Sequence, residues 1–250
     1  MTTITGTAAN ILSAAAAGTI TTKADYAATV NSGTASVANI NTLDADTTGV
    51  ITATVTEGDL STLKTVDDAN SNNALAITVT DTSAAAADLN TVDGKTTVAI
   101  TATAVETITG TAAAIVTAIG SSGITTDGDY AATVNSGTAS VANINTLDAD
   151  TTGVITATVT EGDLSTLKTV DDANSNNALA ITVTDTSAAA ADLNTVDGKT
   201  TVAITATAVE TITGTAAAVV TAIGSSGITT DGDYAVTPVS YTHLTLPTKA

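Results

Sequence analysis

The residues of this chain best suited to chemistry are its aspartates. Asp44-Ala-Asp46, Asp67-Asp68 and Asp127-Gly-Asp129 recur as Asp148-Ala-Asp150, Asp171-Asp172 and Asp231-Gly-Asp233. Paired carboxylates at turns offer the hard oxygen ligands that calcium takes. Asp44, Asp46, Asp127, Asp129, Asp148, Asp150, Asp231 and Asp233 are therefore the candidate calcium ligands, and no other cofactor is expected. Neither the EF-hand loop nor a glycine-rich nonapeptide is present, so these residues serve equally well as solvated acidic turns. A second pattern is Thr-x-Thr in β-prone stretches, at Thr52 with Thr54, Thr78 with Thr80 and Thr101 with Thr103. On a parallel sheet these would form outward ranks, the arrangement with which solenoid ice-binding proteins order water. Threonine also suits any solvated strand.

Nucleophilic and acid–base catalysis find little support. Ser and Thr are abundant, but the one histidine, His243, has no second histidine beside it, and cysteine is absent. A hydroxyl nucleophile needs a base within hydrogen-bond reach. No glycine-rich phosphate loop appears. The chain is not expected to be an enzyme.

The elements that would position these residues are repeats. Residues 25–128 recur as 129–232 with one difference, Ile115 against Val219, and a third copy opens at Asp233-Tyr234-Ala235. Residues 3–24 match 107–128 more loosely. The expected organisation is a partial diverged repeat over 1–24, units over 25–128 and 129–232, and the start of a third over 233–236. The segment 237–250 departs from the repeat and resembles a translated sequencing adapter, so it is set aside from functional reasoning. Any export signal is expected to lie outside this sequence.

Each 104-residue unit carries a finer pattern. The stretch from Ile77 to Asp93 aligns without gaps with Ile51 to Asp67, 26 residues earlier, and Ala28 to Asp44 aligns as well. Ala104 to Gly120 fits more weakly, making four quasi-repeats per unit. In the first half of each, Leu75, Ile77 and Val79 alternate with Ala76, Thr78 and Thr80, the period of a strand. In the second half, apolar residues fall three apart: Val37, Ile40, Leu43; Leu60, Leu63, Val66; Ala86, Leu89, Val92. That spacing marks one face of a short helix or 3-10 turn. Thr34, Asp59 and Ser83 stand near its start, where N-caps belong.

One strand and one short helix in about 26 residues cannot bury enough apolar surface to fold alone, so coils must stack. The expected fold is an α/β solenoid of short parallel strands alternating with short helices. The rival is a string of all-β immunoglobulin-like sandwiches, one per unit. Against it stand the period-three segments and the absence of Phe and Trp, which leaves a thin core without aromatic filler.

Composition restricts the partners. Six lysines face 25 carboxylates, for a formal charge of −19. Such a chain is repelled by phosphate and by anionic lipid, and no nucleic-acid partner is expected. No apolar run approaches the roughly 18 residues that span a bilayer, so no membrane insertion is expected.

The Thr, Ala, Val, Asp and Gly bias, the near-identical units and the turns TLDADTTG (42–49) and TVDGKTT (91–97) resemble giant tandem-repeat surface and adhesin-like proteins of bacteria. The spacing of Leu60, Leu63, Val66, Leu75, Ile77 and Val79 resembles a leucine-rich repeat, although that family's asparagine ladder is not regularly filled. The resemblance implies an extracellular or cell-surface rod acting as stalk, coat or adhesive spacer. Its partners would be further repeats of the same parent protein and a surface or glycan ligand. The alternative is a binding module that uses the Thr ranks or Asp turns for ice, glycan or calcium.

Overall fold

The computed structural model describes residues 2–238. They form an α/β fold in which short strands alternate with short helices and the paired strands run parallel. The parallel pairing and the helices exclude the sandwich, whose sheets are antiparallel. The chain divides into two compact units. One is built from the chain up to Ser136 together with Asp150–Gly153, the other from Gly137–Ala149 together with the chain from Val154 onward.

In the first unit the order is β1 (Thr3–Gly6), α1 (Ala8–Ala15), β2 (Ala27–Val30), α2 (Val37–Asp46), β3 (Ile51–Thr54), α3 (Leu60–Leu63) and β4 (Ala74–Ala76). It continues through β5 (Ser83–Ala85), α4 (Ala86–Asp93), β6 (Ile100–Thr101), β7 (Thr107–Gly110), α5 (Ala112–Gly120), β8 (Ile124–Thr125) and β9 (Ala131–Val134). Strands β1 to β4 stack in chain order, with Thr3 beside Ala27, Ala28 beside Ile51 and Thr52 beside Ala74. A second ladder runs β5, β7, β9, with Ser83 beside Thr107 and Thr107 beside Ala131. Successive coils thus pair strands 22 to 24 residues apart.

The second unit repeats these elements. They are α6 (Val141–Asp150), β10 (Ile155–Thr158), α7 (Leu164–Leu167), β11 (Ala178–Ala180), β12 (Ser187–Ala189) and α8 (Ala190–Asp197). After them come β13 (Ile204–Thr205), β14 (Thr211–Gly214), α9 (Ala216–Gly224), β15 (Ile228–Thr229) and β16 (Ala235–Pro238).

The alternation seen in sequence is the alternation of burial. Ile51 and Ala53 of β3 are buried while Thr52 and Thr54 face out. The period-three residues Ile40, Leu43, Leu60, Leu63, Leu89 and Val92 form the opposite wall of the core. Helices start where a side-chain oxygen can accept an otherwise unpaired N–H. Ser36 Oγ accepts from Asn39 N at 3.2 Å, Asp59 Oδ1 from Thr62 N at 2.9 Å and Thr111 Oγ1 from Ala114 N at 3.2 Å.

Four expectations need correction. The α2 cap is Ser36 rather than Thr34. Ser83 lies in β5, and α4 follows that strand directly, leaving Ala85 at the cap position with no side-chain hydrogen bond. The ungapped 26-residue alignment holds for helices, placing Leu60 over Ala86, but Thr52 pairs with Ala74 rather than with Thr78. The four extra residues lie between β4 and α4, in the stretch 77–85 that carries β5. Finally, the core does use aromatic filler: Tyr26 and Tyr130 are fully buried.

Candidate functional site

The helix α2 carries both expected calcium ligands of its turn, and the fold sends them to different places. Asp44, on the core side, is 8% exposed. Its Oδ1 accepts from Asn73 Nδ2 at 3.0 Å and its Oδ2 from Ala69 N at 3.2 Å. Asn73 is fully buried. Its Oδ1 accepts from Ile51 N at 3.2 Å, and its Nδ2 also reaches the Asp67 carbonyl at 3.3 Å. One amide therefore joins the end of α2, the start of β3 and the loop before β4. Asp68 Oδ1 closes that loop by accepting from Asn72 N and Asn73 N at 3.1 and 3.4 Å, across Ser71 in the left-handed region at φ 52°.

Asp46 points the other way, toward the preceding coil, and accepts from Tyr26 Oη at 2.8 Å. Thr47 Oγ1 donates to the Tyr26 carbonyl at 2.6 Å, and Gly49 packs so closely on that carbonyl that a Cβ would collide with it. Burial, then the hydrogen bond to Asp46 and the nearby carboxylate charge, push the Tyr26 phenol well above its ordinary range. Tyr130 repeats the arrangement with Asp150 and Thr151, and its phenol shifts the same way, first through burial. Asp148 repeats the role of Asp44, accepting from Asn177 Nδ2 at 3.0 Å.

Asp127 and Asp129 flank Gly128, at φ 83°, in an exposed turn. Asp231 and Asp233 do the same around Gly232, with Asp233 N donating to Asp231 Oδ1 at 3.4 Å. A hydrogen bond between the two carboxyl groups, and then the Asp231 charge, hold the Asp233 carboxyl above the usual range. Among the described residues no group of three His, Cys, Asp or Glu is placed to hold a metal ion.

An open cavity of about 400 Å³ lies beside the Asp44–Asn73 joint, lined by Asn41, Asp44, Asp67, Asp68 and Lys95 with two alanines. Its counterpart of about 350 Å³ is lined by Asn145, Asp148, Asp171, Asp172 and Lys199. Asn41 is committed to the next coil, donating to the Thr65 carbonyl at 2.8 Å and accepting from Asp67 N at 2.9 Å. Asp44 is likewise spent on structure. Asp67, the loop-closing Asp68 and Lys95 complete the lining, two carboxylates and one ammonium on an open surface.

The threonines are exposed as expected at Thr52, Thr54, Thr78, Thr80, Thr101 and Thr103. The register does not bring them into one lattice. Thr52 and Thr54 stand beside Ala74 and Ala76 on one side, while on the other Thr52 stands beside Thr29, itself beside Thr5. Thr78 pairs with Thr101, and Thr101 with Thr125, in a single file of three. Thr103 lies in a turn after β6. His243 and most of the segment 237–250 fall outside the described residues.

Sequence reasoning missed Asn73 and the Tyr26–Asp46 pair. A signal for the pair existed: the tyrosine recurs once per unit, 20 residues before an aspartate, close to one coil. Asn73 carried no such mark, because it stands in a polar run with Asn70 and Asn72. Comparison of the chain with protein-family models, with curated proteins and with solved structures finds no match.

Proposed function

We propose that this chain is a repetitive structural spacer of a secreted or cell-surface bacterial protein, serving as stalk, coat or adhesive extension. The observation that carries the reading is where its buried polar groups go. Asp44, Asn73, Tyr26 and Thr47 bind the neighbouring coil, and the copy does the same through Asp148 and Asn177. Buried polar groups in such networks hold a fold in one arrangement when each finds its partner. The charge of −19 supports solubility and keeps chains apart. Among the described residues no helix is long and apolar enough to cross a membrane.

A spacer must add length with each unit. Four coils at about 4.8 Å each give about 19 Å per unit. Small-angle scattering on chains carrying one, two and three copies of residues 25–128 should show the maximum dimension growing by that step. Constant dimensions, with the copies collapsing onto one another, would sink the spacer reading.

A calcium-binding module is the second reading, supported by the paired carboxylates of Asp231 and Asp233, where a divalent cation would replace the hydrogen bond and offset the neighbouring charge that raise the Asp233 carboxyl. Thermal melts of the whole chain in chelator and in millimolar calcium separate the two. An unchanged melt supports the spacer alone, and a rise in Tm supports the metal.

A further inference from the structure

The repeat allows identical positions to be compared in different surroundings. On α1, Leu12 and Ala15 are half-buried, facing Thr42, Ala45 and Asp46 of α2 across a narrow cleft. Their counterparts on α9, 208 positions later, are Val220 and Ile223. These are 65% and 46% exposed, the two most exposed large apolar side chains among the described residues. The adjoining strand shows the same contrast. Ala28 of β2 is fully buried and its backbone N–H donates to the Val50 carbonyl, while β2 pairs onward with β3. Val236 of β16 occupies the Ala28 position and is 41% exposed. Strand β16 pairs with β14 on one edge, and among the described residues its other edge is open. Tyr234, the counterpart of the buried Tyr26, is half-exposed.

We propose that the face formed by α9, Tyr234 and the open edge of β16 is a docking surface for one occupant: a further copy of the segment Asn31–Thr54. That segment carries α2 and β3, which cover the equivalent face in the first unit. Each part of the face has its complement there. The helix α2 would close over Val220 and Ile223. A β3-like strand would pair in parallel with β16, as β3 pairs with β2. The counterparts of Asp46 and Thr47 would bind the Tyr234 hydroxyl and carbonyl, as they bind Tyr26. An open strand edge beside exposed aliphatic side chains is a template for such addition. The proposal deepens the spacer reading and rests on it: it identifies the surface through which repeats are joined. Pro238, where β2 has Val30, removes one N–H from the edge and weakens the docking of a strand beyond it.

The test is hydrogen exchange on the whole chain with residues 237 onward replaced by the sequence of Thr29–Leu63. The added residues should exchange about 100-fold more slowly than in a free peptide of that sequence, the mark of a cooperatively held segment. Val220→Lys with Ile223→Lys in the same chain should return the added residues to peptide rates. Exchange over Ala216–Gly224 should stay slow in that variant, because both replaced side chains point to solvent. Peptide-like exchange of the added segment in the parent chain would overturn the proposal, as would undiminished protection in the double lysine variant. The scattering increments are read on separate chains without the lysine substitutions, so failure of this surface and failure of the spacer reading are told apart.

Discussion

Between α2 and the coil that follows it, a carboxylate and an amide meet in the core, Asp44 against Asn73, with Ile51 N and the Asp67 carbonyl bound to the same amide. Helices α4 and α5 bury apolar side chains only, Ala86, Leu89 and Val92 on one and Ala112, Ile115 and Ala118 on the other. Gly110, at the end of β7, has φ 150°, a backbone conformation that residues other than glycine rarely adopt. The polar contacts at this second junction are half-buried, Asn90 Nδ2 to the Ala114 carbonyl at 3.0 Å and Ser121 Oγ to Asp93 at 2.8 Å. The first junction is specified by hydrogen bonds with one solution. The second is specified by shape among small side chains. A core without Phe or Trp uses both devices, and they should fail differently.

The polar junction should be the more brittle. Asn73→Ala strands the Ile51 N–H, the Asp67 carbonyl and one oxygen of a buried carboxylate. Each buried orphan costs roughly 1–3 kcal/mol, so a loss of about 3–5 kcal/mol is expected, read by urea melts. A loss under about 1 kcal/mol would show that water replaces the amide and that the contrast is false.

Tyr26→Phe tests the other polar contact of α2 and should cost about 1–2 kcal/mol at neutral pH. It also has a pH signature. The Tyr26 and Tyr130 phenols are held above their ordinary value of 10.0 in the fold, so their contribution is fully present below about pH 10 and is lost as pH rises through the folded values. Alkaline melts should therefore fall steeply above about pH 10 in the parent chain and less steeply in Tyr26→Phe. Equal slopes would remove the tyrosine from the argument.

The smallest effect belongs to the apolar junction. Ile115→Val, the substitution that the second unit carries at Val219, should cost about 0.5–1.5 kcal/mol. A larger cost would mean that shape at α5 is as strictly specified as the Asn73 joint.

The alternation of strand and helix was legible because burial acts residue by residue: Ile51 and Ala53 go in, Thr52 and Thr54 stay out. Register was not legible to the same degree. Strands pair 22 residues apart at Thr52 and Ala74, while the helices that follow start 26 apart at Leu60 and Ala86. A single ungapped offset cannot satisfy both, so Thr52 and Thr78 fall in separate threonine files rather than in one. The aspartates were legible as a type but not as a role. Asp44 and Asp46, two positions apart on a helix, face different coils. Only the packing tells which oxygen is spent.

The side-chain bonds that join coils through Asp46 and Asp44 connect residues 20 and 29 positions apart, well short of a 104-residue unit. This locality has a genetic consequence. Unequal crossing-over between two in-phase copies of the coding sequence regenerates, at the breakpoint, a junction already present elsewhere in the chain. An allele gaining or losing a whole unit then encodes no new contact. Slippage out of phase breaks the pairing of Asp44 with Asn73 and is expected to be purged. Natural variation in such a gene should therefore appear as differences in copy number in steps of one unit, with little variation in unit length.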